Sequence, residues 1–263
     1  MSIVASVKVF DGVALGADSM TQIWGSVGST MGIIKTYQNA KKIFQISNLP
    51  IGVMTYGVGN IGKRSMESLI NEFQKDNQLN KESIQKVTEK LHLFLLEKYK
   101  KEFPTLADSS PTLGIFVAGY SSTEKHLAGE YEFVLPQDKE TVRAVKPLEQ
   151  FGASWRGISE PISRLLMGFD PHIVELLRAN AIPEESITQI ANLLPKLFLQ
   201  IAFDGMPLQD AIEFLKFILQ TTIWTTTFMI GTPSCGLPID VAIITPNGFQ
   251  WIEQKGYSLK NGE

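Results

Sequence analysis

The spacing of apolar residues changes several times along this chain of 263 residues, and these changes limit the folds that it can adopt. Residues 2–9 and 12–17 are rich in Val, Ile and Ala and flank a turn-like Phe10-Asp11-Gly12, which predicts a β-hairpin. Residues 42–46 and 51–58 are short apolar runs that predict two more strands. The first quarter of the chain is therefore predicted to be mostly β-structure.

The apolar spacing becomes helical in the next segment. Apolar residues recur every three or four positions over 66–73 and again over 84–95, which predicts two amphipathic helices. Strand-like runs return at 113–120, 131–135 and 141–145. Blocks of strands and blocks of helices in this order indicate stacked sheets with helices packed outside them.

The second half of the chain adds helices and a closing hairpin. Helices are predicted at 161–166, with Pro161 in its first turn, at 173–177, at 187–201, where Pro195 should break the helix, and at 208–219. Residues 239–245 and 249–252 predict two strands joined at Pro246-Asn247-Gly248. The segment 21–38, with its glycines among Ser and Thr, is predicted to be a loop or an irregular hairpin.

Composition excludes several classes of protein. Hydrophobic residues make up 44% of the chain and charged residues 19%, which is enough apolar material for one large folded domain. A net charge of −3 argues against a nucleic-acid-binding protein. No apolar run is long enough to span a membrane, and no signal peptide is recognisable, so a cytoplasmic protein is expected. The single cysteine and three dispersed histidines predict no disulfide, metal site or cofactor.

Four segments in order resemble proteasome β-subunits and their bacterial relatives. They are Asp11 to Ser19, Lys41 to Ile46, Met54 to Gly59, and the closing hairpin from Ile239 to Gly248. The resemblance spans nearly the whole chain and is weakest over residues 155–205.

The resemblance implies an α+β fold in which two antiparallel sheets and two helical layers form a four-layer αββα sandwich, the N-terminal-nucleophile (Ntn) hydrolase fold. The whole chain, residues 1–263, is then a single domain with extra helical material around 158–205. The family acts as peptidases in rings of subunits. The implied partners are therefore peptide or unfolded protein substrates, copies of the same chain and, as an open possibility, an ATP-dependent unfoldase.

The resemblance places the family's nucleophile on Ser2, by counting back from Asp18. Removal of Met1 would leave Ser2 with a free α-amine, whose unperturbed pKa of about 7.7–8.0 allows it to accept the hydroxyl proton. Serine or threonine at an N-terminus is an established form of nucleophile and base in one residue. A small residue without a catalytic role is the alternative at this position.

The other implied catalytic residues are Asp18, Lys42 and Gly57. Asp18 is expected to hold Lys42, whose positive charge would lower the pKa of the Ser2 amine and hydroxyl. Lys41 and Lys42 would point to opposite faces of a strand, so only one can face the site, and the position before Ile43 favours Lys42. The Gly57 N–H is expected to stabilise an oxyanion, with a simple turn glycine as the alternative.

The supporting residues of the family fit this sequence less closely. Its D-x-x-S-G-G pattern falls on residues 232–237, where Thr232 replaces the aspartate and Cys235 the serine, next to Ser234. Another supporting serine is assigned to Ser154 or its neighbours. Cys235 is expected to be a small buried residue and not the nucleophile, and Asp240 is expected to be structural.

Three functions remain open at this point. The first is a peptidase in a ring-shaped oligomer. The second is a catalytically degenerate proteasome-type structural subunit, for which the changes at Thr232 and Cys235 are the argument. The third is an Ntn amidohydrolase that acts on small amides, which fold alone does not exclude.

Overall fold

The fold is described from a computed structural model that covers residues 2–28, 30–104, 110–121, 126–136 and 142–256. The strands in chain order are β1 (Ile3–Val9), β2 (Gly12–Ala17), β3 (Thr21–Val27), β4 (Thr30–Tyr37), β5 (Ile43–Gln45), β6 (Ile51–Gly57), β7 (Asn60–Ile61), β8 (Arg64–Ser65), β9 (Leu113–Gly119), β10 (Gly129–Leu135), β11 (Arg143–Ala144), β12 (Gly152–Gly157), β13 (Asp240–Thr245) and β14 (Gly248–Glu253). The helices are α1 (Met66–Asp76), α2 (Ile84–Glu102), α3 (Glu160–Met167), α4 (Ile173–Ala179), α5 (Glu184–Leu193), a 3-10 turn at Leu194–Leu197, and α6 (Leu208–Phe228).

Two antiparallel five-stranded sheets form the centre of the fold. The first has the strand order β12-β1-β2-β13-β14 and the second the order β11-β10-β9-β6-β5. The strands β3 and β4 form a separate two-stranded hairpin, and β7 pairs with β8. The protein is therefore a mixed α/β structure with several antiparallel sheets.

Three clusters of buried apolar side chains hold these elements together. One joins α1 and α2 to the second sheet and includes Phe73 and Leu91. Another joins α3 and α6 to the first sheet and includes Ile162 and Leu215. The third contains side chains from both sheets, such as Leu15 of β2 and others from β6 and β9. Truncation of a fully buried residue such as Leu215 to alanine would cost roughly 2–5 kcal/mol of stability.

The strand β1 shows why the first sheet is buried on both faces. Ile3, Ala5 and Val7 belong to the cluster with α3 and α6, whereas Val4 belongs to the cluster shared with the other sheet. Successive side chains of a strand point to opposite faces. Ser2 has the same parity as Val4, so it lies at the end of the face that is turned to the second sheet.

Two buried carboxylates of β10 are paired with cations from other strands and loops. On β10, Glu130 accepts a hydrogen bond from Ser6 at 2.7 Å and pairs with Lys146 at 2.9 Å. Glu132 pairs with Arg156 at 2.6 Å and with Arg143 at 2.7 Å. Burial of unpaired charges would be strongly unfavourable, so these contacts explain how two carboxylates lie in the interior.

Helices α1 and α2 begin as their sequences predict. The side chains of Ser65 and Ser83 accept hydrogen bonds from the backbone N–H groups of Ser68 and Lys86, which are unpaired donors of each first turn. Both helices run further than the apolar pattern alone indicates.

The sequence-based predictions and the structure differ in a few elements. Within the predicted loop or irregular hairpin over 21–38, Thr21–Val27 and Thr30–Tyr37 pair as the hairpin β3–β4, with one register shift between Ile23 and Trp24. The helix predicted over 187–201 ends at Leu193 and continues only as a 3-10 turn, because Pro195 cannot donate a backbone hydrogen bond. The prediction of a helix over 198–201 was therefore wrong.

Two strand predictions also change. Only Arg143–Ala144 of the predicted 141–145 strand is a strand, and Thr141 lies outside the described residues. The strand β12 was missed, since Gly152–Gly157 contains no β-branched residue; its pairing with β1 makes it a strand. The expected helices in 158–205 are α3, α4 and α5 with the 3-10 turn.

None of the helices in the described part of the chain has the length and apolar character needed to cross a membrane.

Candidate active site

A cavity of about 580 Å³ lies where several strands end or begin. Ser2 precedes β1, Lys42 precedes β5, Gly57 ends β6 and Lys255 follows β14, and all four line this cavity. The hairpin β3–β4 contributes further lining side chains, among them Thr21. The structure thus brings together three of the predicted site residues, and a fourth, Asp18, lies directly behind them.

The Asp18 carboxylate organises this corner of the molecule. It is fully buried after β2, and each of its oxygens accepts two hydrogen bonds. One oxygen bonds the Ile3 N–H at 3.0 Å and the Lys42 ammonium at 2.6 Å. The other bonds the backbone N–H groups of Met20 at 3.0 Å and Gly236 at 3.1 Å. Asp18 therefore ties four chain segments to one another.

Lys42 is a buried cation that is held in one orientation. Its ammonium donates to Asp18 and, at 2.6 Å, to the Met20 carbonyl. Burial lowers the pKa of the Lys42 ammonium, and the Asp18 carboxylate opposes that shift. The neighbouring Lys41 instead pairs at 2.6 Å with Glu67 in a more exposed part of the cavity. The structure thus places Lys42, and not Lys41, against Asp18.

The backbone of Ser2 is fixed by the end of β12. Its carbonyl accepts a hydrogen bond from the Ile158 N–H at 2.8 Å, and the residue is only 4% exposed although it lines the cavity. Gly157 has φ +88°, and a Cβ there would lie 1.9 Å from the Ser2 carbonyl oxygen. Only glycine allows this approach. Met1 lies outside the described residues.

Gly57 presents its backbone at the cavity. It is exposed, has φ +85°, and a Cβ there would lie 2.1 Å from the Thr112 carbonyl oxygen. The Val58 N–H donates to the Thr112 carbonyl on the β9 side, whereas the Thr55 N–H donates to the Lys42 carbonyl on the β5 side. Amide groups of a strand alternate between its two neighbours. The Gly57 N–H therefore points to the β5 side, where residues 39–42 line the cavity.

Lys255 is a cavity residue that sequence reasoning missed. Its ammonium forms a short contact with the Asp240 carboxylate, and its backbone N–H donates to the same carboxylate at 2.9 Å. The available signal was Asp240 itself, because an aspartate inside an apolar strand needs a cationic partner. Asp240, which was expected to be structural, therefore binds a lysine that lines the cavity.

The supporting residues Ser234 and Cys235 directly precede a residue whose backbone binds Asp18. Neither Cys235 nor Ser234 lines the cavity. The next residue, Gly236, donates its backbone N–H to the Asp18 carboxylate at 3.1 Å, and its carbonyl accepts a hydrogen bond from the Ser19 N–H at 3.1 Å. Cys235 is 1% exposed and contacts Thr226 at 3.2 Å. Burial raises the pKa of its thiol to about 11.

Ser154 lies away from Ser2. It pairs with Ser6 across β12 and β1, about 10 Å of strand from Gly157, the residue of β12 that contacts Ser2. Ser159 is closer in sequence to that contact, since it directly follows Ile158 and precedes α3. Its side chain makes no capping hydrogen bond to the helix. The segment that contacts Ser2 is therefore 157–158, and Ser159 is the next residue along the chain.

No group of three metal-ligating side chains converges anywhere in the described ranges.

Comparison with known proteins finds similar folds among solved structures. No family model and no curated protein matches the sequence. The structure is similar to the helical assembly of the Anbu complex from Pseudomonas aeruginosa, with a TM-score of 0.56, 14% identity, and 99% of this chain and 88% of that chain covered. It is also similar to Anbu (ancestral beta-subunit) from Yersinia bercovieri, with a TM-score of 0.54, 14% identity, and coverage of 95% and 86%.

A third similar structure is Anbu from Hyphomicrobium sp. strain MC1, with a TM-score of 0.57, 12% identity, and coverage of 96% of this chain and 86% of that chain. At 12–14% identity these likenesses establish the fold. The chain folds as these ancestral β-subunit structures do, over nearly its whole length.

Proposed function

We propose that this protein is an N-terminal-nucleophile peptidase that cleaves peptide bonds with Ser2 after removal of Met1. The observation that carries the proposal is the convergence of Ser2, Lys42 and Gly57 on one cavity, with Asp18 behind them. The fold shared with ancestral β-subunit structures supports the same function. Neither line of support depends on the other.

In the proposed reaction the Ser2 α-amine takes the proton of the Ser2 hydroxyl, directly or through a water molecule. The hydroxyl oxygen then attacks the substrate carbonyl, and the carbonyl oxygen becomes negative. The Gly57 N–H on the cavity side of β6 would donate a hydrogen bond to that oxygen. The amine returns the proton to the leaving nitrogen, and water hydrolyses the resulting ester.

Lys42 would contribute electrostatically to this reaction. A fixed positive charge beside Ser2 favours the neutral amine and the developing alkoxide. The bond to Asp18 and the bond to the Met20 carbonyl both hold the ammonium in place. Groups that are oriented before the reaction need no rearrangement when the charge develops.

The packing supports the four-layer arrangement that the resemblance implies. The cluster with α1 and α2, the cluster between the sheets, and the cluster with α3 and α6 would stack in that order as an αββα sandwich. Strands β1 and β2 each contribute side chains to two of these clusters. We treat residues 1–263 as a single domain on the same grounds.

We also propose that the chain associates with copies of itself. Large apolar side chains are exposed at the end of α6, including Trp224 at 53%, Phe228 at 83% and Ile230 at 107%. Apolar surface of this kind is typical of protein interfaces. One of the similar structures is a helical assembly, so an open helical arrangement is the alternative to a ring. An ATP-dependent unfoldase and a cytoplasmic location stay predictions.

A catalytically degenerate scaffold is the second candidate function. The observation in its favour is that the family's aspartate position is held by Thr232, which is exposed and does not line the cavity. An amidohydrolase for small amides is the third candidate function, and a cavity of about 580 Å³ favours a peptide over a small amide.

A peptide-hydrolysis assay on purified protein tests the proposal. Peptide fluorogenic substrates should be cleaved by the natural protein and by Ser2→Thr, which keeps the hydroxyl, but not by Ser2→Ala. Cys235→Ala is a matched control, because it removes the cysteine next to Asp18 and leaves Ser2 intact. Loss of activity in Cys235→Ala but not in Ser2→Ala would overturn the assignment of the nucleophile.

A further inference from the structure

The cavity has an excess of cationic groups. Among the described residues that line it, Lys41, Lys42 and Lys255 are cations and Glu67 is the single carboxylate. The carboxylates that pair with the two buried lysines, Asp18 and Asp240, do not line the cavity. The surface that a substrate meets is therefore positive, and the balancing negative charges lie behind it.

Lys255 is the cation in this set with the most capacity for a further partner. The Lys42 ammonium already donates to Asp18 and to a backbone carbonyl, and Lys41 pairs with Glu67. Among the described residues, the Lys255 ammonium donates to Asp240 alone. An ammonium has three N–H donors, so two of them are left for other partners, and Lys255 is among the residues that line the cavity.

The position of Lys255 is fixed by Asp240. The carboxylate binds both the backbone N–H and the ammonium of Lys255, and the two side chains are only 8% and 3% exposed. Burial of such a pair costs desolvation free energy that apolar residues would not incur. A cation that is held in one orientation binds an anion with little further ordering.

Lys255 also acts electrostatically on the catalytic corner. Burial is the main cause of the lowered pKa of Lys42, and the positive charge of Lys255 lowers that pKa further. Lys255 also lines the same cavity as Ser2 and Lys42. A ligand bound at Lys255 would consequently lie in the same part of the cavity as Ser2 and Lys42.

We propose that the Lys255 ammonium binds a carboxylate group of the substrate close to the bond that Ser2 attacks. The inference rests on the proposed peptidase function and adds a substrate class to it: peptides with an acidic side chain, or a free terminal carboxylate, beside the scissile bond. Lys255 is then a specificity-determining residue, and Asp240 positions it.

The first experiment tests whether the bound carboxylate belongs to an acidic side chain. It uses two peptide epoxyketones that differ only in having Glu or Gln next to the reactive group. The rate of Ser2 adduct formation is measured by intact mass. The natural protein should react about tenfold faster with the Glu peptide, as a charge-assisted hydrogen bond allows. Asp240→Asn/Lys255→Met, which removes both charges together, should lose this preference, whereas Lys255→Arg should keep it. Lys41→Met is the matched control at the rim and should also keep it.

A second arm tests the terminal carboxylate. Hydrolysis of a peptide with a free C-terminus one residue beyond the scissile bond is compared with hydrolysis of its amide. A preference for the free acid that depends on Lys255 identifies the terminal group as the ligand. Equal rates in both arms for the natural protein overturn the inference while leaving Ser2 as nucleophile.

Absence of any adduct or hydrolysis would count against the proposed function itself. The inference is then decided by calorimetric binding of the Glu and Gln versions of one unreactive peptide amide to Ser2→Ala. Tighter binding of the Glu peptide that is lost in Ser2→Ala/Asp240→Asn/Lys255→Met supports the carboxylate site. Equal affinities contradict it.

Discussion

The Lys42 ammonium lies 2.6 Å from the Asp18 carboxylate, and both side chains are almost fully buried, at 7% and 0% exposure. Because the pair is buried, removal of one partner leaves the other as an uncompensated charge. Such a loss typically costs about 3–5 kcal/mol of stability. The pair therefore has a structural role in addition to the proposed electrostatic one.

A double variant separates these two roles. Lys42→Met should lower both stability and peptidase activity, whereas Asp18→Asn/Lys42→Met should recover part of the stability, since no buried charge is left unpaired. Activity should stay low in both variants, because the charge beside Ser2 is missing. Urea unfolding and peptide hydrolysis measure the two effects. Recovery of activity in the double variant would show that Lys42 serves the fold alone.

Gly57 should not tolerate a side chain. The variant Gly57→Ala places a Cβ against the Thr112 carbonyl at a positive φ, so the end of β6 must shift. We expect hydrolysis to fall by about tenfold or more, with a stability loss of about 1–3 kcal/mol. Gly248→Ala is a suitable control, since it also has positive φ but meets no atom within 4 Å. Equal activity losses in the two variants would contradict a specific role for Gly57.

Ser159 and Ser154 are expected to differ in their effect on activity. Ser159 follows the residue that holds the Ser2 carbonyl, whereas Ser154 faces Ser6 farther along β12. Ser159→Ala should lower kcat with little change in Tm, and Ser154→Ala should leave kcat near the natural value. Steady-state kinetics and thermal unfolding of both variants are the measurement. A larger kcat loss in Ser154→Ala would restore the original assignment of the supporting serine.

The Cys235 thiol should be unreactive near neutral pH. Burial raises its pKa to about 11, so the thiolate, which is the reactive form, is scarce at pH 7 and increases as the pH rises toward that value. Iodoacetamide should label Cys235 slowly in the folded protein and quickly in urea, with little loss of activity at pH 7. Rapid labelling at pH 7 accompanied by inactivation would indicate a catalytic thiol.

The predictable parts of the fold were those with a local signal. The hairpin of β1 and β2 and the helices α1 and α2 have regular apolar spacing, and serine caps mark the starts of both helices. The strand β12 has no such signal, because Gly152–Gly157 is a strand only through its pairing with β1. Such a strand depends on pairing with residues that are distant in sequence, and the local pattern of a single sequence does not indicate which residues pair.

The residues of the candidate site likewise differ in how well the sequence predicted them. The contact between Asp18 and Lys42 was predicted because both residues lie beside recognisable strands, and the structure confirms this contact. The supporting role of Ser154 or its neighbours stays a prediction; the structure adds that Ser154 pairs with Ser6, a register that could not be set for an unpredicted strand. Lys255 was missed because it follows the last strand with no pattern around it; its partner Asp240, alone among apolar neighbours, was the sole clue.

The most direct test of Ser2 as an N-terminal nucleophile is the intact mass of the protein before and after incubation with a peptide epoxyketone. This reagent needs the amine and the hydroxyl of the same terminal residue to form its ring adduct. We predict a chain that begins at Ser2 and gains one inhibitor molecule, with no gain in Ser2→Ala. A chain that begins at Ser2 and gains none, or gains as much in Ser2→Ala, would contradict the proposed function.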